Sequence, residues 1–161
     1  MYFDMKISFW SIGKNHEPYV KAGVEDFSKR INNYFKLDWE IIPPLKNAAK
    51  MSIDDTKKNE GELILSKIQK EDFLIALDER GVLLSSEGLA QQIQLCANNS
   101  CKRVIFFIGG AFGISDAVMT RSNFKWSLSK LVFPHQLVRL ILAEQVYRAC
   151  TILKNEKYHH Q

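Results

Sequence analysis

The 161-residue chain is 46% hydrophobic and 25% charged, an ordinary globular composition with enough length to bury one good core. No apolar run approaches the roughly 18 residues of a membrane span, and the N-terminal MYFDMKISFW lacks a basic leader and a small-residue cleavage site. The expectation is one domain, 1–161, in the cytoplasm and away from membranes. Cys96, Cys101 and Cys150 form no C-x-x-C pair and leave one thiol over in any pairing, which argues against a disulfide framework or a metal site. The net charge of +4 is unevenly spread, because residues 121–161 hold seven Lys and Arg against only Glu144 and Glu156. A basic C-terminal segment suits a polyanionic partner; a solvated lysine-rich helix would read the same way.

In chain order, Lys6 to Ile12 alternates as a strand, and Glu17 to Tyr34 carries Val20, Val24, Phe27 and Ile31 on one helical face. Leu37 to Ile42 predicts a second strand, stopped by Pro43 and Pro44. A helix follows from near Ser52, where Ser52 and Asp55 resemble a capping box. Phe73 to Leu77 is a short buried strand ended by Asp78-Glu79-Arg80-Gly81, and Ser85 or Ser86 caps a helix bearing Leu89, Ile93 and Cys96. Val104 to Ile108 is another buried strand, running into Gly109-Gly110-Ala111-Phe112-Gly113. A short helix from about Asp116, a strand near Trp126 to Leu128, and a final helix with Pro134 in its first turn complete the series. Strands alternating with helices, with near-continuous apolar runs in the later strands, predict an α/β fold with a mainly parallel sheet flanked by helices.

The glycine cluster after a buried strand lets backbone amides approach a ligand, but it is no dinucleotide fingerprint: position 108 is Ile where G-x-G-x-x-G needs Gly. From the local sequence alone, a tight strand-to-helix turn is the favoured account of Gly109, Gly110 and Gly113. On the last helix His135 and Arg139 share a face, as do Glu144 and Arg148; surface pairing and a helix N-terminal histidine explain them without chemistry. His16 reads as solvated.

Several separate segments then point one way. Leu77-Asp78-Glu79-Arg80-Gly81, Ser85-Ser86-Glu87, Ile108-Gly109-Gly110, the W-S-L-S-K-L-V-F-P-H run from Trp126 to His135, Ala143-Glu144-Gln145-Val146-Tyr147-Arg148-Ala149 and the terminal Tyr158-His159 occur in this order. Together they resemble the SPOUT-class methyltransferases that modify N3 of pseudouridine in large-subunit (23S) ribosomal RNA. The resemblance covers nearly the whole chain; Lys157 departs from it, standing where the family usually has Pro.

What the resemblance implies is an α/β SPOUT fold with a C-terminal trefoil knot, a homodimer, S-adenosylmethionine as methyl donor without a metal, and ribosomal RNA as substrate, within an assembled subunit or ribosome. The cofactor positions it implies are Leu77, Gly109 and the run Leu128, Ser129, Lys130, Leu131, Val132 and Phe133. It makes Tyr158, His159 and Arg139 the catalytic candidates and gives His135 a structural role. Those residue types suit the donor, since apolar side chains can enclose a flat adenine while backbone groups read its edge. The expectation at Gly109 is that a branched side chain, as in Gly109→Val, would enter space reserved for ligand and weaken cofactor binding while leaving the fold largely intact. Two alternatives remain at this stage: a knotted transfer-RNA methyltransferase acting on a ribose hydroxyl, and a non-catalytic ribosome-binding factor.

Overall fold

A computed structural model describes residues 4–160. Five strands and five α-helices alternate along the chain: β1 (Lys6–Ile12), α1 (Pro18–Ile31), β2 (Lys36–Ile42), α2 (Ile53–Lys67), β3 (Phe73–Leu83), α3 (Ser86–Asn98), β4 (Arg103–Ile108), α4 (Asp116–Arg121), β5 (Phe124–Ser127) and α5 (His135–Leu153), with a 3₁₀ turn at Ala48–Lys50. The strands form one sheet in the order β2-β1-β4-β3-β5, and every pairing is parallel. Among the described residues no helix is long and apolar enough to cross a membrane.

Parallel strands need a crossover between neighbours, so both sheet faces are covered and the central strands are apolar on both sides. β1 shows this, with Ile7 and Phe9 on one face and Trp10 and Ile12 on the other, all buried. The first face packs on α1, α3 and α5 through Ile31, Leu89, Ile93, Leu142, Val146 and Ala149. Phe9 meets Phe106 edge to face with ring centroids 5.6 Å apart. The opposite face packs on α2 and α4 through Ile64, Val118 and Met119. Cys96 and Cys150 lie in the first layer as packing thiols, and burial pushes them up to about 11 and about 12.

Helix starts follow local chemistry. Ser52, Ser85 and Ser115 each accept a hydrogen bond from the backbone N–H three residues on, opening α2, α3 and α4. Pro134 stands at the N-cap of α5, one position before the first turn where the sequence put it. The larger difference concerns β3, which does not stop at Leu77. It continues to Leu83 and pairs again with β5 after a register shift between Leu77 and Val82. Asp78-Glu79-Arg80-Gly81 is therefore strand, not turn; its polar residues fit because Glu79 and Arg80 are exposed there. Gly81 makes the pairing sterically possible, since a Cβ on it would lie 2.6 Å from the backbone of Lys125 and Trp126.

Candidate cofactor-binding site

In an open parallel sheet, ligands gather outside the carboxyl ends of the strands. The carboxyl ends of β3, β4 and β5, with the start of α5, enclose a cavity of ≈ 360 Å³, within the usual size of a small-molecule site. Three chain segments build its walls.

The first is the glycine turn after β4. Gly113 N–H donates to the Gly110 carbonyl at 3.1 Å, closing the turn, and Gly113 takes φ +89°, which L side chains rarely adopt. A Cβ on Gly113 would meet nothing within 4 Å, so its Cα faces the open cavity. Gly109 also lines the cavity, but its missing side chain points the other way: a Cβ there would stand 2.7 Å from Ile114 Cγ1. This corrects the expectation that a substituent at 109 enters ligand space. It enters protein.

The second wall is β3, at Leu77, Asp78 and Glu79. Arg80 folds back on Asp78, its Nε donating to Oδ1 at 2.8 Å and its backbone N–H to the same oxygen at 2.9 Å. Burial raises the Asp78 carboxyl, yet those bonds outweigh it and hold the group below its ordinary value. Asp78 therefore presents a fixed negative charge at the cavity edge.

The third is the loop from β5 to α5. Ser127 donates to the Ser129 carbonyl at 3.1 Å, and Ser129 Oγ accepts from Leu131 N–H at 3.0 Å, so two hydroxyls shape the loop. Leu128, Ser129, Leu131, Val132 and Phe133 line the cavity; Lys130 does not. Leu131 and Val132 are 71% and 88% exposed, unusual for aliphatic side chains at a site rim. His135 and Val138 of α5 close this side. His135 has no hydrogen-bond partner among the described residues, and burial followed by the nearby Arg139 charge holds its imidazole below the ordinary value. It is an available neutral imidazole in the cavity wall. The sequence had marked it only as structural, because a histidine at a helix start is usually just that.

The three catalytic candidates stand elsewhere. Arg139 is 1% exposed and lies beneath the loop after β1, where Nε donates to Ser11 Oγ at 3.1 Å and Nη1 meets His16 Nδ1 at 3.3 Å. His16 is accordingly half-buried, packed edge to face on Trp39 at 4.9 Å, and not simply solvated. Gln136 secures the same loop, accepting from Glu17 N–H at 2.9 Å and donating to the Asn15 carbonyl. Tyr158 and His159 are docked on α5 and α3. The Tyr158 ring lies 4.8 Å from Tyr147 with the Arg148 guanidinium over it at 4.7 Å. His159 Nε2 stands 2.6 Å from Glu87 Oε1, and Nδ1 3.3 Å from Arg148 Nη1. Burial raises the Tyr158 phenol, so it is protonated near neutral pH. Neither tail residue nor Arg139 lines the cavity. Among the described residues, no group of three or more His, Cys, Asp and Glu is placed to hold a metal ion.

Comparison with known proteins places this architecture. The family described as "Predicted SPOUT methyltransferase" matches residues 5–159. The chain is 46% identical over 157 residues to "Ribosomal RNA large subunit methyltransferase H" of Christiangramia forsetii, covering 98% of this chain and 100% of that one. It is 47% identical over 156 residues to the protein of the same name from Cytophaga hutchinsonii, covering 97% and 100%, and 44% identical over 158 residues to that from Bacillus pumilus, covering 96% and 99%. A solved structure of a probable methylase family protein from Haemophilus influenzae superposes with a TM-score of 0.58 at 11% identity, over 99% of this chain and 72% of that one, a likeness of fold. With a family match over nearly its whole length and full-length relatives above 40% identity, the chain belongs to the SPOUT methyltransferases, a family whose fold is knotted and whose methyl donor is S-adenosylmethionine.

Proposed function

We propose that the chain is a single-domain, cytoplasmic methyltransferase that transfers the methyl group of S-adenosylmethionine to N3 of a pseudouridine in large-subunit ribosomal RNA. The observation that carries the reading is the cavity outside β3, β4 and β5, joined to full-length relatives named as ribosomal RNA large-subunit methyltransferases. The residues present fit the donor. Leu77, Leu128 and Phe133 supply apolar walls for a flat purine, and Gly113, with open space where a side chain would be, lets backbone approach the ligand. Asp78 supplies a carboxylate held ionised by Arg80, a partner for a hydroxyl or ammonium group. The bound sulfonium supplies an already activated methyl group, which leaves orientation and proton removal to the protein and its RNA.

N3 of the base must lose a proton. His135, neutral and unpartnered in the cavity wall, is the residue of this chain best placed to accept it, directly or through water. Arg139 acts on this reading as a brace for the loop after β1, not as a contact to the reacting atoms. The exposed Leu131 and Val132 at the cavity rim, with Phe112 beside them, fit cover by a second copy of the chain; in such a homodimer the Tyr158-His159 tail of one copy can serve the cavity of the other. Recognition of RNA then falls to the surface of the assembled dimer and the basic C-terminal segment, acting on a subunit or whole ribosome.

The deciding experiment is nucleotide-resolution mapping of methylation in large-subunit RNA from a deletion strain, with complementation. Loss of a methyl group at one pseudouridine, restored by the wild-type gene, is the expected result; unchanged ribosomal RNA with a lost ribose methyl in transfer RNA would refute the reading. Removing the tail from Tyr158 onward should leave donor affinity nearly unchanged while lowering methyl transfer to ribosomes by about 100-fold or more. Full-rate transfer by the truncated protein would remove the tail from the chemistry.

A further inference from the structure

Glu60 is the buried carboxylate to which the site described so far gives no task. It lies on α2 at 8% exposure, and its oxygens have no hydrogen-bond or ion-pair partner among the described residues. The small cleft beside it leaves those oxygens some access to solvent, so water and not a protein group meets the charge.

Its side chain is aimed at the glycine turn. A Cβ built on Gly110 would stand 2.8 Å and 3.0 Å from its two carboxylate oxygens, so only glycine lets the carboxylate come this close. Gly110 and Gly113 line the main cavity from the other side. Behind them, Glu60 shares a small cleft with Gly113, Ile114 and Ser115. One thickness of glycine backbone thus separates a carboxylate without a protein hydrogen-bond partner from the cavity.

No ion pair with Glu60 comes from the neighbouring elements among the described residues. Lys57, one turn earlier on α2, lines the same cleft but makes no ion pair with Glu60; its charge is felt at Asp78. α4 contributes Ser115 at its cap and Asp116 at its start, and β1 and β4 face the cleft with Ile12 and Phe107. Burial alone holds the Glu60 carboxyl above its ordinary value of 4.5.

We propose that Glu60 is a specificity-determining residue for the methyl donor: acting through the glycine turn, its carboxylate favours the cationic sulfonium over the neutral thioether that remains after transfer. The inference rests on the cofactor reading of the cavity. In the reaction the S–CH₃ bond breaks with its electron pair left on sulfur, N3 gains the methyl group, and the N3 proton leaves. The donor side of the site therefore loses one positive charge at each turnover, and a fixed negative charge behind the turn registers that loss. Spent donor is released and fresh donor retained. Two unit charges about 10 Å apart, at the effective dielectric of a protein near its surface, bias affinity on the order of tenfold.

Linkage gives the sign of the pH dependence. Below its raised titration point Glu60 is protonated and its own contribution to the preference vanishes, leaving whatever the ionised Asp78 and the His135 imidazole of the cavity wall supply. As pH rises through that point the carboxylate forms and the sulfonium gains affinity. Within that window, binding of the sulfonium also expels a proton.

The test is calorimetric titration of the whole protein with S-adenosylmethionine and with S-adenosylhomocysteine, from mildly acidic to mildly alkaline pH, in buffers of different ionisation enthalpy. The wild-type preference for the sulfonium should rise with pH and its binding should release a proton. Glu60→Gln should weaken sulfonium binding about tenfold, leave the thioether within about twofold, and flatten the pH dependence. Equal weakening of both ligands would make Glu60 a mere support for the turn and overturn the proposal, as would a wild-type preference that stays flat with pH. If the wild-type protein binds neither ligand, the cofactor reading of the cavity falls, and this inference with it.

Discussion

Replacing Gly109 by alanine tests whether this position faces ligand or protein. A Cβ there would lie 2.7 Å from Ile114 Cγ1 and 3.2 Å from the carbonyl carbon and oxygen of Gly113. Ile114 is 3% exposed and packed in the layer under α2 and α4, so it has little room to swing away, and the Gly113 backbone must give as well. Overpacking of this kind costs about 1–3 kcal/mol. In a chain of this size a loss of about 2 kcal/mol lowers Tm by about 4–8 °C. Ile114→Ala alone leaves a cavity and costs about 2–4 kcal/mol. The double variant Gly109→Ala/Ile114→Ala should be more stable than the sum of the two losses by about 1 kcal/mol or more, because the second change vacates the space the first one needs. Thermal denaturation of the four proteins, with donor affinity measured on each, reads both quantities. If Gly109→Ala melts at the wild-type temperature but no longer binds donor, the Cβ lies in ligand space and the geometric argument is wrong.

Other outcomes follow from buried groups. Arg139→Ala should cost about 2–4 kcal/mol by opening a cavity beneath the loop after β1, whereas Arg139→Met, which fills the space and removes a buried charge, should cost less than about 1.5 kcal/mol; equal losses in chemical denaturation would show that hydrogen bonds to Ser11 and His16 outweigh packing. Because the folded state raises the Glu60 carboxyl, the stabilisation it gives is complete below the ordinary carboxylate range and is lost as pH rises through the folded value. Glu60→Gln should therefore melt at or above the wild-type temperature at neutral pH, and a clear drop in Tm would mean that the carboxylate has a stabilising partner. Cys96 and Cys150 should resist a thiol reagent in the native protein while the half-buried Cys101 reacts first; mass spectrometry of labelled peptides showing equal labelling would contradict the burial described.

Periodicity sufficed where one element decides the pattern. The apolar runs of β1 and β4, the serine caps of α2 and α3 and the start of α4 lie within a residue or two of where the sequence puts them. It failed where a distant segment decides. Asp78 to Gly81 has the composition of a turn, and it lies within a strand because Leu77 before it and Val82 after it both pair with Trp126 of β5, leaving these four residues as the irregularity between. The stretch Lys57-Lys58-Asn59-Glu60-Gly61-Glu62 looks like a solvated helix face, and nothing local shows that Glu60 points inward at Gly110. Spacing on α5 put His135 and Arg139 on one face, but the first reaches the cavity and the second the loop after β1, a division set by what α5 packs against. A histidine without a partner for capping was the one local signal that could have drawn attention to position 135.

The position of α5 in the sequence bears on how the protein is made. Leu142, Ala143, Val146 and Ala149 are all 0% exposed and close the layer that covers Ile7, Phe9 and Phe106, residues synthesised long before them. Every strand pairing is parallel and several are remote, Lys6 lying opposite Arg103, so little native pairing can be completed early. Until α5 is made and docks, this sheet face is covered only by α1 and α3 and remains partly open. Docking of α5 is thus the step that closes the layer, and a chain that has not yet made it carries an apolar face able to associate with others.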